Sequence, residues 1–260
     1  MIVLRPLNKK MQPKVKVLKD ADELAQRAAQ LILTQSRLAV ARNNFFTIAL
    51  SGGSTPKRLY ELLANPTQQF RSQLPWDHIH FFWTDERHVP PDHPDSNYRM
   101  VSEAMLARAP VPPTNIHRMS GEKANASEAA NDYESQLRNF FHPHAGELPR
   151  LDFVLLGLGP DGHTASLFPD SEVLQETQRW VAAPWIAKLN SYRLTMTLPV
   201  LNSASTVVYL VSGSEKAEIL REVLEGELNR FPAQRINPTN GVLSWLVDAD
   251  AASKLQEHSN

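Results

Sequence analysis

At 260 residues, with no cysteine and 27 basic residues against 28 acidic ones, the chain carries a formal net charge of −1. Its length allows a large buried core. The balanced charge, with no block of one sign, argues against a nucleic-acid partner gripped through a broad basic footprint, and the lack of thiols excludes a disulfide frame and thiolate chemistry. No apolar run approaches the roughly 18–20 residues of a membrane span. The opening MIVLRPLNKKMQPK offers four apolar residues before Arg5 and Pro6, too few for a signal-peptide core. The expectation is a soluble, cytoplasmic protein with no membrane partner.

Taken in order, a polar lead over residues 1–12 precedes a short strand at Val15–Leu18. Asp20 followed by Glu23 has the form of a helix-starting capping box, and Leu24, Ala28, Leu31, Gln35 and Leu38 recur near the helical period, which predicts a helix to about Ala41. Phe45–Leu50 is an apolar strand that runs into SGGSTP, where Thr55 can cap a helix with Pro56 at its first position; Leu59, Leu62 and Leu63 give that helix its inner face. Ile79–Trp83 is the next strand, and the proline- and aspartate-rich run after it predicts a loop until Ser96 caps a helix through Leu106. A short strand at Ile116–Met119 and a helix over Ala126–Phe141 follow. The apolar run Leu151–Leu156 then ends in a turn built from Gly157, Gly159, Pro160 and Gly162, with a short helix expected from Thr164 to Pro169. Strands are expected at Trp180–Ala183, Tyr192–Leu198, Thr206–Val211 and Val242–Val247, with a helix capped by Ser214 and a short alanine-rich helix at the end. Alternating strands and helices without a repeat or long linker predict one α/β domain, 1–260, with a mostly parallel sheet flanked by helices. Ligands of such sheets bind beyond the carboxyl ends of the strands. Three of the strands here end in polar turns, SGGST, TDERHV and GLGPDGHTAS, and these are expected to meet in one cleft.

Ser51–Thr55 follows a strand and opens a helix, so its N–H groups and the helix dipole suit an anion; an ordinary strand-to-helix turn is the plainer alternative. The Gly-Lys-Ser/Thr ending of a P-loop is missing. Gly157, Gly159 and Gly162 match the spacing of a dinucleotide fingerprint, but Pro160 in the turn, Pro169 soon after, and the lack of a strand with a terminal acid some twenty residues on exclude it. His163 is one of nine histidines. Its place beside Asp161 in a glycine turn after a buried strand marks it as a general base, since an imidazole titrates near neutral pH. Asp85 and Glu86 are paired acids at another strand end, either functional or helix-capping, and Arg87 beside them can bind an anion or pair with either acid. His78 with His80, and His142 with His144, lack a zinc-motif partner, and G-x-S-x-G does not occur, so neither a metal site nor a serine nucleophile is expected.

Together, ALSGGSTP (Ala49–Pro56), WTDERHVPPDHPDSNYRM (Trp83–Met100), GLGPDGHTASLFP (Gly157–Pro169), YRLTMTLPVLNSA (Tyr192–Ala204), SGSEK (Ser212–Lys216), PAQRI (Pro232–Ile236) and WLVDADAA (Trp245–Ala252) resemble the 6-phosphogluconolactonase family, related in fold to glucosamine-6-phosphate isomerase/deaminase. The resemblance covers nearly the whole chain. It implies a modified Rossmann-like domain and metal-independent hydrolysis of 6-phospho-D-glucono-1,5-lactone to 6-phosphogluconate in the pentose phosphate pathway, with no cofactor. On that footing the phosphate lies on Gly52, Gly53, Ser54 and Thr55, helped by Lys216 and Arg193. His163 deprotonates the attacking water, Asp161 orients the imidazole, and Arg87 holds either phosphate or the developing anionic oxygen. Asp85 and Gly159 shape the pocket. The expected partner is a small sugar-phosphate lactone, and the chain is expected to be a monomer or small homo-oligomer.

Two rivals remain. The deaminase is similar at SGGSTP and at the DGH turn, but it carries a glutamate in an FNEP-like run after DGH, where this chain reads ASLFP, and a Tyr-Val-Gly type segment where this chain has Arg-His-Val-Pro. A non-catalytic sugar-phosphate sensor would carry a helix-turn-helix ahead of the domain. Only about twelve residues precede the first expected strand, and Asp161 and His163 are intact.

Overall fold

Six strands pair in parallel, in the order β1 (Lys14–Leu18), β10 (Val242–Asp248), β9 (Thr206–Val211), β5 (Phe153–Leu156), β2 (Phe46–Leu50), β3 (Ile79–Trp83). The computed structural model describes residues 14–256, so the polar lead expected over residues 1–12 lies outside the described residues. The central strands β2 and β5 are buried along their whole length, as expected for a sheet covered on both faces. Helices α1 (Ala21–Asn43), α2 (Ser54–Ala64), α3 (Gln69–Gln73) and α4 (Asn97–Val101) pack together as one layer. From β3 the chain returns through α5 (Ala126–Phe141) to β5, then by α6 (Leu198–Ser203) to β9, and by α7 (Ala217–Glu225) to β10 and the terminal α8 (Ala249–Ala252). These later crossovers run in the opposite direction across the sheet, so right-handed connections place them on the other face.

A smaller antiparallel sheet stands beside the main one. In it, β4 (Asp85–Arg87) pairs with β8 (Ser191–Met196), which also pairs with β6 (Val181–Ala182) and β7 (Trp185–Ile186). The fold is therefore the expected single α/β domain with a mostly parallel sheet, with this second sheet as an addition.

Local chemistry sets both ends of α1. Asp20 accepts the N–H groups of Asp22 and Glu23 at 3.0 and 2.9 Å, and the Glu23 carboxylate accepts the N–H of Lys19, one residue earlier than in a capping box. Asn44, in the left-handed region, closes α1 slightly beyond the expected end.

Several expectations give way. The segment Asp85–Arg87 is a strand rather than loop, because β8 supplies it with backbone partners from far along the chain. Ile116–Met119 makes only one bridge, Phe81 to Ile116. Thr55 does not cap α2: the helix starts at Ser54 behind Gly53, which has no side chain to cap with, and Pro56 comes third. Ser214 lies inside a single turn preceding α7 rather than capping it. No helix forms at Thr164–Pro169, since Ala165 takes φ 47 and Leu167 donates to the Thr164 carbonyl at 2.9 Å, closing a tight turn instead.

Asp20→Ala removes the acceptor for two otherwise orphaned N–H groups. It should cost about 1 kcal/mol and lower Tm by roughly 2–4 °C in a thermal melt. An unchanged Tm would show that the cap does not hold α1.

Candidate active site

The order of crossovers decides where a ligand can enter. From β2 the chain steps through α2 to its neighbour β3, whereas from β5 it steps the other way to β9. The carboxyl ends of the adjacent strands β2 and β5 thus diverge, opening a crevice at the point where the winding reverses. An open cleft of about 640 Å³ lies there. The structure brings together eight of the residues singled out from sequence on its wall: Gly52, Gly53, Asp85, Arg87, Gly159, His163, Arg193 and Lys216. Ser54 and Thr55 line an adjoining recess of about 110 Å³, shared with Gly52, Gly53 and Lys216. Asp161 lies behind His163, off the cleft wall.

The SGGST turn follows β2 directly. Tyr60 locks it by accepting the Ser51 N–H at 3.1 Å and donating to the Ser51 carbonyl at 2.9 Å. A Cβ at Gly52 would collide with Asn97 Oδ1, so only glycine lets the helix α4 side chain sit against this turn. With no side-chain cap on α2, the N–H groups of its first turn face outward with the dipole behind them.

Asp85 and Glu86 divide in role. The Glu86 carboxylate is buried and accepts the N–H groups of Arg87, Asn97 and Tyr98 at 2.7–2.8 Å and the Ser96 hydroxyl at 3.1 Å. Burial raises its pKa, and the three backbone donors offset part of that rise. Glu86 therefore anchors the start of α4, the helix-capping alternative. Asp85 faces the cleft, with Oδ2 accepting the Ser166 hydroxyl at 2.7 Å and its carbonyl accepting Asn97 Nδ2 at 2.9 Å.

Arg87 and Arg193 sit directly opposite each other on β4 and β8. Like charges so placed repel. Burial, then the neighbouring Arg87 charge, pull the Arg193 pKa down. Their guanidinium groups donate to the Asp95 carbonyl, and to the Ser191 hydroxyl and Tyr192 carbonyl, respectively. Neither forms an ion pair with a carboxylate among the described residues, and Lys216 forms none either. Two arginines and a lysine left without carboxylate partners around one cleft make it a site for an anion.

In the same cleft, the His163 imidazole lies Nδ1 to Asp161 Oδ1 at 2.5 Å. Against a carboxylate, Nδ1 must carry the proton, which leaves the Nε2 lone pair for the cleft. The ring stacks on Phe168 at 4.1 Å between centroids, 29° from parallel. It also lies against Gly159, where any Cβ would strike it. Burial lowers the His163 pKa below that of a free imidazole, and the bond and charge of Asp161 offset only part of that. For Asp161 itself, burial would raise the pKa, but bonds from Lys188 and His163 outweigh it and hold the carboxyl at about 2. Near neutral pH the pair is therefore carboxylate and neutral imidazole, which is the state a general base needs.

Sequence reasoning missed the roles of Lys188, Phe168 and Ser166 at the cleft, and the state of the Ser51 hydroxyl. Lys188 sits on the β7–β8 hairpin and donates to Asp161 Oδ2. Phe168 supports the imidazole, Ser166 holds Asp85, and the Ser51 hydroxyl is buried at the wall with no partner among the described residues. The pattern WIAKLNSYRL carries a hairpin signal, apolar runs around Lys-Leu-Asn, but nothing local says that its tip returns to the DGH turn. The histidines weighed as metal ligands lie elsewhere: His80 Nδ1 meets His117 Nε2 at 3.1 Å beside Phe82 and Phe140. Among the described residues no group of three or more His, Asp or Glu side chains is placed to hold a metal ion.

A sequence model of the family described as glucosamine-6-phosphate isomerases/6-phosphogluconolactonase matches residues 19–245. The chain belongs to this family. A 6-phosphogluconolactonase from Nostoc sp. is 44% identical over 247 residues, covering 94% of this chain and 99% of that relative. A 6-phosphogluconolactonase from Synechocystis sp. is 44% identical over 248 residues, covering 95% and 100%. Among solved structures, the 6-phosphogluconolactonase from Trypanosoma cruzi superposes with a TM-score of 0.80 at 29% identity, covering 96% of this chain and 100% of that one. No described helix is long and apolar enough to cross a membrane.

The geometry gives a direct check on the dyad. Asp161 raises the His163 pKa, so Asp161→Asn should lower it further. The imidazole resonances, followed by NMR against pH, should titrate at a lower midpoint than in the parent protein. A midpoint that stays or rises would show that Asp161 does not act on the ring electrostatically.

Proposed function

We propose that the chain is a 6-phosphogluconolactonase, hydrolysing 6-phospho-D-glucono-1,5-lactone to 6-phospho-D-gluconate in the pentose phosphate pathway. The observation that carries this is one cleft lined by His163, with Asp161 bonded to its Nδ1, together with the uncapped start of α2 and three cations without carboxylate partners. The 44% identical relatives named 6-phosphogluconolactonase support the same substrate.

The phosphate sits on the backbone of Gly52, Gly53, Ser54 and Thr55, with Lys216 beside them and Arg193 completing the charge. Fixing this remote group brings the lactone carbonyl to His163, so that binding energy is used for orientation. His163 Nε2 takes a proton from water as the water oxygen bonds to the carbonyl carbon. The tetrahedral oxygen becomes negative, and Arg87 is assigned to neutralise it. When the intermediate collapses, the bond from carbon to ring oxygen breaks, and the imidazolium returns its proton to that oxygen. Asp161 stabilises the imidazolium in between. Asp85 shapes the floor with Ser166, and Gly159 leaves room for the ring. An ester carbonyl needs no more than a base and an anion site, so no cofactor enters these steps. One domain over 1–260, a cytoplasmic location, and a monomer or small homo-oligomer complete the proposal.

The deaminase alternative needs an acid after the DGH turn. Residues 164–169 read Thr-Ala-Ser-Leu-Phe-Pro, and Phe168 is occupied by stacking on His163.

The purified protein, treated with chelator, should hydrolyse freshly prepared 6-phosphogluconolactone well above its spontaneous rate. No acceleration, or ammonia release from glucosamine 6-phosphate instead, would overturn the proposal. His163→Ala should cut kcat by about 10²–10⁴-fold, the usual worth of a general base; near-normal turnover would remove it from that role. Lys216→Ala should raise KM about tenfold or more with kcat largely kept, because a charged hydrogen bond made equally in both states is uniform binding.

A further inference from the structure

Next to the dyad lies a cation that this hydrolysis does not use. Lys188 occupies the tip of the β7–β8 hairpin, where Ala187–Leu189 makes a single turn and Asn190 takes φ 46 to bring the chain back into β8. Its ammonium donates to Asp161 Oδ2, the oxygen that His163 does not engage. It also lies 4.4 Å from the centre of the Phe168 ring, within cation–π range. Phe168 in turn stacks on His163. Lys188 therefore touches both side chains that hold the imidazole, one through charge and one through the ring face.

We propose that Lys188 is a positioning residue that clamps Asp161 through Oδ2, keeping Oδ1 on His163 Nδ1 and the imidazole lone pair on the cleft. This rests on His163 being the general base. An aspartate carboxylate rotates about its last torsion in a broad, roughly two-fold well. Asp161 is also partly open to water, at 30% side-chain exposure, and both bonds it receives from His163, from Nδ1 and from the backbone N–H at 3.3 Å, fall on Oδ1 and leave Oδ2 unheld. A second donor on that oxygen holds it. A partner bound behind a histidine sets its tautomer and orientation, and loss of such a partner commonly costs 10–100-fold.

The same hairpin carries Arg193 on β8, so one backbone element holds both an anion-binding arginine and the clamp on the base. Charge adds a second effect. The Lys188 ammonium opposes Asp161, lowering the His163 pKa where Asp161 raises it. The clamp therefore helps keep the imidazole neutral while holding it in place.

Lys188 also lines the cleft, so the competing role is a direct contact to the substrate anion. The two roles differ in what they change. Lys188→Met keeps an apolar stem over Phe168 and removes the charge. It should lower kcat about tenfold with KM within about twofold, and loosen the Asp161–His163 contact, read by NMR without substrate as faster solvent exchange of the His163 Nδ1 proton. Lys188→Arg should restore most of kcat and slow that exchange again. A raised KM with kcat retained, or an unchanged Nδ1 proton exchange, would overturn the proposal. The two failures are distinguishable: His163 as base fails through near-normal turnover of His163→Ala, whereas the clamp is read on the Nδ1 proton itself.

Discussion

The bond from Asp161 Oδ1 to His163 Nδ1 is the contact on which the site depends. It selects the tautomer and turns the free lone pair to the cleft, and in the proposed mechanism it supplies the charge that an imidazolium needs for the moment it exists. Its geometry comes from a short stretch of chain. Strand β5 ends at Leu156, the Gly159 N–H donates to the His163 carbonyl at 2.9 Å, and the Gly162 N–H donates to the Gly159 carbonyl at 3.0 Å. The loop thus folds back on itself within a few residues and sets acid and base side by side. Gly159 is required because the imidazole lies where its side chain would be.

Electrostatics divide the cleft. One part of the cleft is an acid–base pair whose charge is balanced by Lys188; Arg87, Arg193 and Lys216 also line it, Lys216 beside the uncapped start of α2. In the proposed mechanism an anionic ligand relieves the repulsion between the two opposed arginines, and the α2 start adds oriented N–H groups without adding a mobile charge. In the same proposed mechanism, phosphate and reacting carbonyl are recognised by different chemistry at different places, which favours one orientation of the substrate.

Much of this was legible in the sequence because it is local. A strand, a glycine turn and a helix start occupy consecutive residues in SGGSTP, and a strand, a turn, an acid and an imidazole do so in LDFVLLGLGPDGH. Hydrophobic period and turn chemistry read such segments directly. The meeting of the loops in one crevice also followed, since parallel sheets leave their carboxyl ends free. What escaped depends on contacts between distant residues. Asp85–Arg87 looks like loop until β8, about a hundred residues on, gives it a partner. Glu86 stands open between a functional and a helix-capping role until three backbone N–H groups close on it. Phe168 reads as an apolar substitute for a polar residue, and only the folded loop shows the ring bearing the imidazole. Lys188 is a lone lysine in a hairpin until the tip reaches Asp161. The helix expected after His163 failed for a related reason: Ala165 is held in a left-handed conformation while Ser166 bonds to Asp85 and Thr195, and those tertiary bonds override local propensity.

The central claim is that one cleft holds phosphate at one end and presents the lactone carbonyl to a neutral imidazole at the other. A crystal structure of the protein with 6-phosphogluconate bound tests it most directly. The phosphate should rest on the backbone of Gly52–Thr55 with Lys216 in contact, and the C1 carboxylate should lie within hydrogen-bond reach of His163 Nε2. A product bound in reverse, with its phosphate against His163, or bound outside this cleft, would contradict the mechanism.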